Sequence, residues 1–114
     1  MPREPRKFLD DMLQRAQRVT RLVDARQRDE VVADEVVWLA LERDMSIIGE
    51  ALMQLHRMAP ETAERVDRWR DIIGFRHVLI HGYDDLDIEV FWSVIQTDLP
   101  KLIVQVESLL TELN

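Results

Sequence analysis

The chain contains no cysteine. That excludes a disulfide framework, a thiolate zinc site and thiol chemistry, and it suits a reducing compartment. Glycine and proline are scarce, with three and four in 114 residues. A β-sandwich or small barrel of this length needs many turns, and turns draw on those two residues. Phosphate-cradling glycine loops and the nucleophile elbow are absent as well. No apolar run approaches the length of a membrane span. The Arg- and Lys-bearing start leads into no apolar stretch of the kind a secretory signal needs. The sequence thus predicts a cytoplasmic protein with no membrane association. Basic residues are the minority, 15 against 22 acids, for a net charge of -7. That balance is wrong for a generic nucleic-acid coat.

What is present points to helices. Hydrophobic residues make up 46% of the chain, enough for one domain, 1–114, to bury a core unaided. Phe8, Leu9, Met12, Leu13, Ala16, Val19, Leu22 and Val23 recur at helical spacing, which predicts a helix over 8–25, with Pro5 near its start. Residues 26–30 read as a charged connection. A second helix starts at about Asp29 or Asp34 and runs to about Met58, where Pro60 ends it. Its apolar stripe is wide enough to face more than one neighbour. Opposite runs a polar stripe, Arg43, Ser46, Glu50, Gln54 and Arg57, which by spacing alone could be solvated surface. Residues 61–68 read as a short polar helix or turn. A third helix spans Trp69 to about His81, and Gly82 stands where a glycine ends a helix. Asp85 or Asp87 can cap the next segment. A cap and a kink are expected at Asp98-Leu99-Pro100. The fold class is all-α, an up-and-down bundle of four to five helices.

Charge is distributed unevenly. Residues 1–28 hold eight Arg and Lys against four acids, whereas 82–114 hold one Lys against seven acids. A local basic surface near the first helix is compatible with the acidic whole.

The chemistry-bearing stretch is Arg76-His77-Val78-Leu79-Ile80-His81-Gly82-Tyr83. His77 and His81 share a helix face, as zinc ligands do. Val78 breaks the HExxH pattern, however, and a third ligand would have to come from Asp84, Asp85 or His56. No metal site is assigned. RNA cleavage without metal needs a base for the 2'-hydroxyl and a cation for the phosphorane. Histidine suits the base, and arginine suits the phosphate. Arg76 and His81 supply both types. Five residues set them roughly 140° apart on a helix, so either the helix ends at His81 or a second chain completes the cleft. The wide apolar face of the second helix favours a symmetric homodimer. The plain alternative is an Arg paired with an acid and a His capping its own helix.

The pattern of Arg76, four residues, His81, any residue and Tyr83 resembles the R-x4-H-x-Y motif of HepT-like proteins, which belong to the HEPN group of helical ribonucleases. Glu42-Arg43 followed by Ile47-Ile48-Gly49-Glu50-Ala51 resembles the helix-two signature of that family. Trp69 to Arg76 resembles its approach to the active site, and Trp92 with Asp98-Leu99-Pro100 resembles the segment beyond. The resemblance covers about residues 8–110. One departure stands out: His77 occupies a position where the family usually has Asn.

The resemblance implies a HEPN-like homodimer acting as a metal-independent endoribonuclease toxin, with no cofactor and RNA as substrate. It implies Arg76 and His81 as the catalytic pair flanking a shared cleft, with His77 able to share the base role. Arg43 and Glu50, two turns apart on one face, are expected to look toward that cleft. It also implies an MNT-type nucleotidyltransferase antitoxin that transfers AMP to Tyr83. The alternative is a non-catalytic HEPN-type binding subunit of a nucleotidyltransferase. An intact Arg76 and His81 favour the enzyme.

Overall fold

The computed structural model describes residues 5–81 and 86–113, excepting the side chains of Ile80 and His81. Every regular element among them is helical: α1 (Pro5–Val23), α2 (Arg28–Ala33), α3 (Glu35–Met58), α4 (Pro60–Ala63), α5 (Trp69–His81), α6 (Ile88–Ser93), a π turn (Val94–Asp98) and α7 (Leu99–Glu112). The four long helices are the expected bundle, and the short ones join or extend them. No described helix is long and apolar enough to cross a membrane.

Local chemistry explains the boundaries. The two candidate starts of the second helix are both real, because Asp34 divides α2 from α3. It adopts extended geometry (φ -92°, ψ 96°) and its side chain accepts from the Val37 N–H, so one residue ends a short helix and caps a long one. That N–H bond holds the Asp34 carboxyl below its ordinary range, with help from Arg26. Gln27 and Glu30 form a capping box at the start of α2. Asp87 caps α6 by accepting from the N–H groups of Glu89 and Val90. Gly82, Asp84 and Asp85 lie outside the described residues.

The expected cap at Asp98 is corrected. Asp98 makes no capping bond, and its carboxylate instead accepts from Arg68 at 2.9 Å. The chain stays helical through a π turn in which the Leu99 N–H reaches the Val94 carbonyl. Pro100 explains the widening. Its ring would strike the carbonyl of Gln96 in a regular α-turn, and the larger loop of a π turn gives it room.

One apolar core unites the long helices. α1 contributes Leu9, Met12, Ala16 and Val19, α3 contributes Leu41, Ile48, Leu52 and Leu55, and α7 contributes Leu102, Val106 and Leu109. Within each helix they recur at steps of three, four or seven, the face an α-helix presents to a neighbour. Phe91 closes the far end, its ring against Trp38 at 4.8 Å and Phe75 at 5.5 Å. Each fully buried side chain of this size stabilises the fold by roughly 1.5–3 kcal/mol. α3 packs on α1 along one side and on α5 along another, so it carries the contacts that fix the site.

A carboxylate sits inside this core. Asp44 is fully buried, on the same face of α3 as Leu41, Met45 and Ile48. Arg18 of α1 donates to both its oxygens, at 2.7 and 2.5 Å, and Arg15 adds a bond at 3.3 Å. A buried carboxylate needs such compensation. The two arginines, one turn apart, lock the register of α1 against α3. Asp44 in turn raises the pKa of Arg18.

Candidate active site

The site is built where α3 crosses α5. Gly49 makes the crossing close. A Cβ placed on Gly49 would stand 2.4 Å from Arg76 Cβ and 3.2 Å from the Ile72 carbonyl oxygen. Any side chain at position 49 would push α5 away. Glycine therefore lets the root of Arg76 rest on the backbone of α3.

Arg76 is held by the very next residue of α3, Glu50. Its Nε lies 2.8 Å from Glu50 Oε2, and its side chain is 25% exposed. Neither atom completes an aligned hydrogen bond, although both are buried. The distance establishes an ion pair, while the N–H points off the oxygen. The attraction is thus mainly coulombic, and the guanidinium is held without a full fork on a carboxylate. The other Glu50 oxygen accepts from Gln54 at 3.1 Å, which steadies the carboxylate from one turn further along α3. A groove of about 380 Å³ opens beside it, with Glu50, Gln54 and Ile47 facing Phe8 and Asp11 of α1.

The other sequence-singled residues fall as follows. His77 is exposed on α5. Arg43 is exposed on α3, two turns or about 10 Å before Glu50, and the structure does not bring it to Arg76 as it brings Glu50. The α5 backbone is helical through His81, so positions 76 and 81 keep their separation of roughly 140° about the axis. The side chain of His81, and Tyr83 altogether, lie outside the described residues. Among the described residues no group of three or more His, Asp or Glu side chains could hold a metal ion. His56, once a candidate third ligand, is hydrogen-bonded to Glu64 at 3.0 Å and stacked on Trp69 at 4.4 Å.

Gly49 and Asp44 are the residues that sequence reasoning passed over. Gly49 stood in the helix-two block without a role. Asp44 was legible as an acid among apolar residues on one helix face, with Arg15 and Arg18 three apart on the basic helix α1.

The all-α bundle, with Arg76 and His81 five residues apart on one helix, is consistent with the HEPN-type ribonuclease class. Residues 12–109 match the family model described as Ribonuclease HepT-like. The chain belongs to the HepT-like ribonuclease family. It is 32% identical over 106 residues to "Putative RNase TTE0752" of Caldanaerobacter subterraneus subsp. tengcongensis, covering 93% of this chain and 94% of that one. It is 30% identical over 105 residues to "Putative RNase MJ1380" of Methanocaldococcus jannaschii, covering 92% and 95%. "Probable ribonuclease HepT" of Thermococcus cleftensis is 26% identical over 106 residues, covering 90% and 92%. No solved structure gives a significant match.

Proposed function

We propose that this protein is a metal-independent endoribonuclease toxin that cleaves RNA through Arg76 and His81, working in the cytoplasm as a homodimer. The observation that carries the reading is the seat of Arg76. It is fixed at its root by Gly49, drawn by Glu50 and left one-quarter exposed. A guanidinium so placed can bind phosphate as a planar fork, and its misaligned pairing with Glu50 leaves donor capacity unspent. The proposed chemistry follows from the residue types. His81 takes the proton of a ribose 2'-hydroxyl, whose oxygen attacks the adjacent phosphorus. Arg76 stabilises the charge that builds on the phosphoryl oxygens. The bond to the 5'-oxygen breaks and that oxygen takes a proton back from the imidazolium, leaving a 2',3'-cyclic phosphate and a 5'-hydroxyl. His77, next to Arg76, shares the base role.

Two features support the homodimer. The roughly 140° between positions 76 and 81 favours a cleft in which the pairs of two copies complement each other. Val36 and Leu39, one turn apart on α3, are 77% and 58% exposed, and they extend the apolar face of that helix outward.

The control we propose is by an MNT-type nucleotidyltransferase antitoxin. The Tyr83 hydroxyl attacks the α-phosphorus of ATP and releases pyrophosphate, with magnesium supplied by that enzyme. The added AMP brings a phosphate close to Arg76 and competes with RNA for it.

Incubation of RNA with the purified protein in EDTA tests the reading. Cleavage with 2',3'-cyclic ends, lost in both His81→Ala and Arg76→Ala, is the expected result. Folded protein that leaves RNA intact would return the chain to the class of non-catalytic binding subunits. Cleavage that stops with chelator and returns with zinc would replace the mechanism. Intact mass after incubation with the antitoxin and ATP should rise by one AMP, and Tyr83→Phe should abolish the rise.

A further inference from the structure

Between α5, α6 and the π turn lies a cavity of about 330 Å³ that the proposed chemistry does not use. Met45, Phe75, Val78, Val90 and Val94 give it an apolar wall, and Arg68, Asp71 and Asp98 stand at its charged edge. Its volume is at the lower end of the range of about 300–1,000 Å³ for small-molecule clefts. It accommodates one ring system with its immediate substituents rather than a helix.

Three departures from relaxed backbone or sequence choice meet there. The first is Gly74, inside α5. A Cβ at this position would meet nothing within 4 Å, so no packing contact demands glycine. Glycine inside a helix is nonetheless less stable than alanine. The missing side chain keeps one side of the cavity open. The second is Arg68, whose φ is 59°, in the left-handed region that residues with a Cβ seldom occupy. It is held there by Asp71 at 3.1 Å and Asp98 at 2.9 Å, and the Asp98 side chain is only 12% exposed. Backbone strain of this kind concentrates at ligand sites. The third is the π turn, which supplies both Val94 and Asp98 to the lining and is itself a form enriched at functional positions.

The lining has the chemistry of a nucleobase site. Apolar walls and the Phe75 ring offer contact to a flat heteroaromatic ring. The carboxylates of Asp71 and Asp98 accept from ring or exocyclic N–H groups, and Arg68 and Arg70 offer charge to a linked phosphate. The cavity and Arg76 share a level along the helices: on α3, Met45 lines the cavity and Gly49, one turn on, seats Arg76. They lie on different sides of α5, since the lining positions 71, 74, 75 and 78 centre roughly 150° from Arg76 about its axis. A base held here thus belongs to a nucleotide beyond the one at Arg76, with the strand passing round a helix about 10 Å across.

We infer that the cavity is a base-recognition subsite, holding one nucleobase of the RNA whose phosphodiester Arg76 engages, with Asp71 and Asp98 selecting the base by its N–H groups. The inference rests on the ribonuclease reading above, and its test is a binding measurement, so the two fail separately.

The probes are AMP, GMP, CMP and UMP, titrated into the full chain while the amide signals of Gly74, Phe75, Val78 and Val90 are followed by NMR. One nucleotide should move these signals and bind at least about tenfold more tightly than the weakest of the four, a margin that a pair of hydrogen bonds readily gives. Gly74→Leu, which fills the cavity, should abolish both the shifts and the preference. Gly74→Ala, which meets no atom, shows that position 74 accepts a side chain in the folded protein. Signals unmoved at millimolar nucleotide would overturn the inference, as would equal binding of all four or binding that survives Gly74→Leu. Sedimentation in which Gly74→Leu splits a dimer would assign the cavity to a second copy instead. Nucleotide bound by a protein that cuts no RNA would sink the cleavage reading and leave the subsite standing. RNA cut by a protein that binds none of the four would do the reverse.

Discussion

Replacing Gly49 with alanine separates positioning from stability. The new Cβ would lie 2.4 Å from Arg76 Cβ, whereas carbon atoms rest at about 3.5–4.0 Å. The contact is with a Cβ, which cannot swing aside, so α5 must back away from α3 by about 1 Å. Overpacking of this kind costs about 1–3 kcal/mol. Alanine returns about 1 kcal/mol because it is the better helix former. The net loss should be about 1 kcal/mol, small against the roughly 5–15 kcal/mol that holds a domain folded. Cleavage should suffer far more. A displacement of about 1 Å at a charge-stabilising group costs about 100-fold in rate, and Arg76 would move with its helix. Urea denaturation gives the first quantity, and initial rates on a short RNA give the second. If Gly49→Ala keeps the wild-type rate and becomes about 1 kcal/mol more stable, the crossing does not position Arg76 and the argument is refuted.

Other outcomes follow from the charged groups. Arg18→Ala strands the buried Asp44 carboxylate with only the 3.3 Å contact to Arg15 and should lower the urea midpoint. The double variant Arg18→Ala/Asp44→Ala should recover much of that in the same denaturation assay. Burial pushes the Glu42 carboxyl above its ordinary range. Its raised folded pKa favours folding at low pH, and that support fades as pH rises through the folded value. Glu42→Gln should therefore raise the melting temperature at pH 7 and lose that advantage below about pH 4. Asp34 and Glu112 behave oppositely. The Val37 N–H holds Asp34 low and Arg65 holds Glu112 low, so their support is present above the unfolded carboxylate pKa and lost as pH falls through the folded values. Asp34→Asn combined with Glu112→Gln should flatten the acid limb of a stability–pH curve.

Much of the fold was legible because helical periodicity is a local signal. In α1 the apolar steps mark Phe8, Leu9, Met12, Ala16, Val19 and Val23, all buried, together with Leu13 and Leu22, which are half-buried. Asp34 was one of two candidate starts for the second helix, and Asp87 was one of two candidate caps for the next. Asp98 was misread as a cap because a cap and an ion-pair acceptor have the same side chain. Only tertiary placement brings Arg68, thirty residues away, to it. Arg76 and Glu50 were both singled out, but their contact was not, since it depends on how α3 and α5 cross. Gly49 was invisible for the same reason: a glycine inside a helix reads as a weakness until the neighbour it admits is known. Arg43 shares the stripe of Glu50 in sequence and yet stays exposed, because two turns carry it past the crossing.

The π turn at 94–98 has a consequence for the inheritance of shape. An α-turn closes N–H to carbonyl over four residues and a π turn over five, so this stretch holds one residue more than the groups it joins require. Excising one residue between Val94 and Leu99 would let the Leu99 N–H meet the Val94 carbonyl as an ordinary α-turn. The phase between α6 and α7 would be kept, with Phe91 still directed into the core against Trp38 and Phe75. Pro100 opposes that tighter turn, since its ring would meet the carbonyl four residues before it. The segment thus works as slack in the chain. A codon lost here leaves both helices aimed as before, whereas the same loss within α7 would rotate α6 by about 100° and turn Phe91 out of the core.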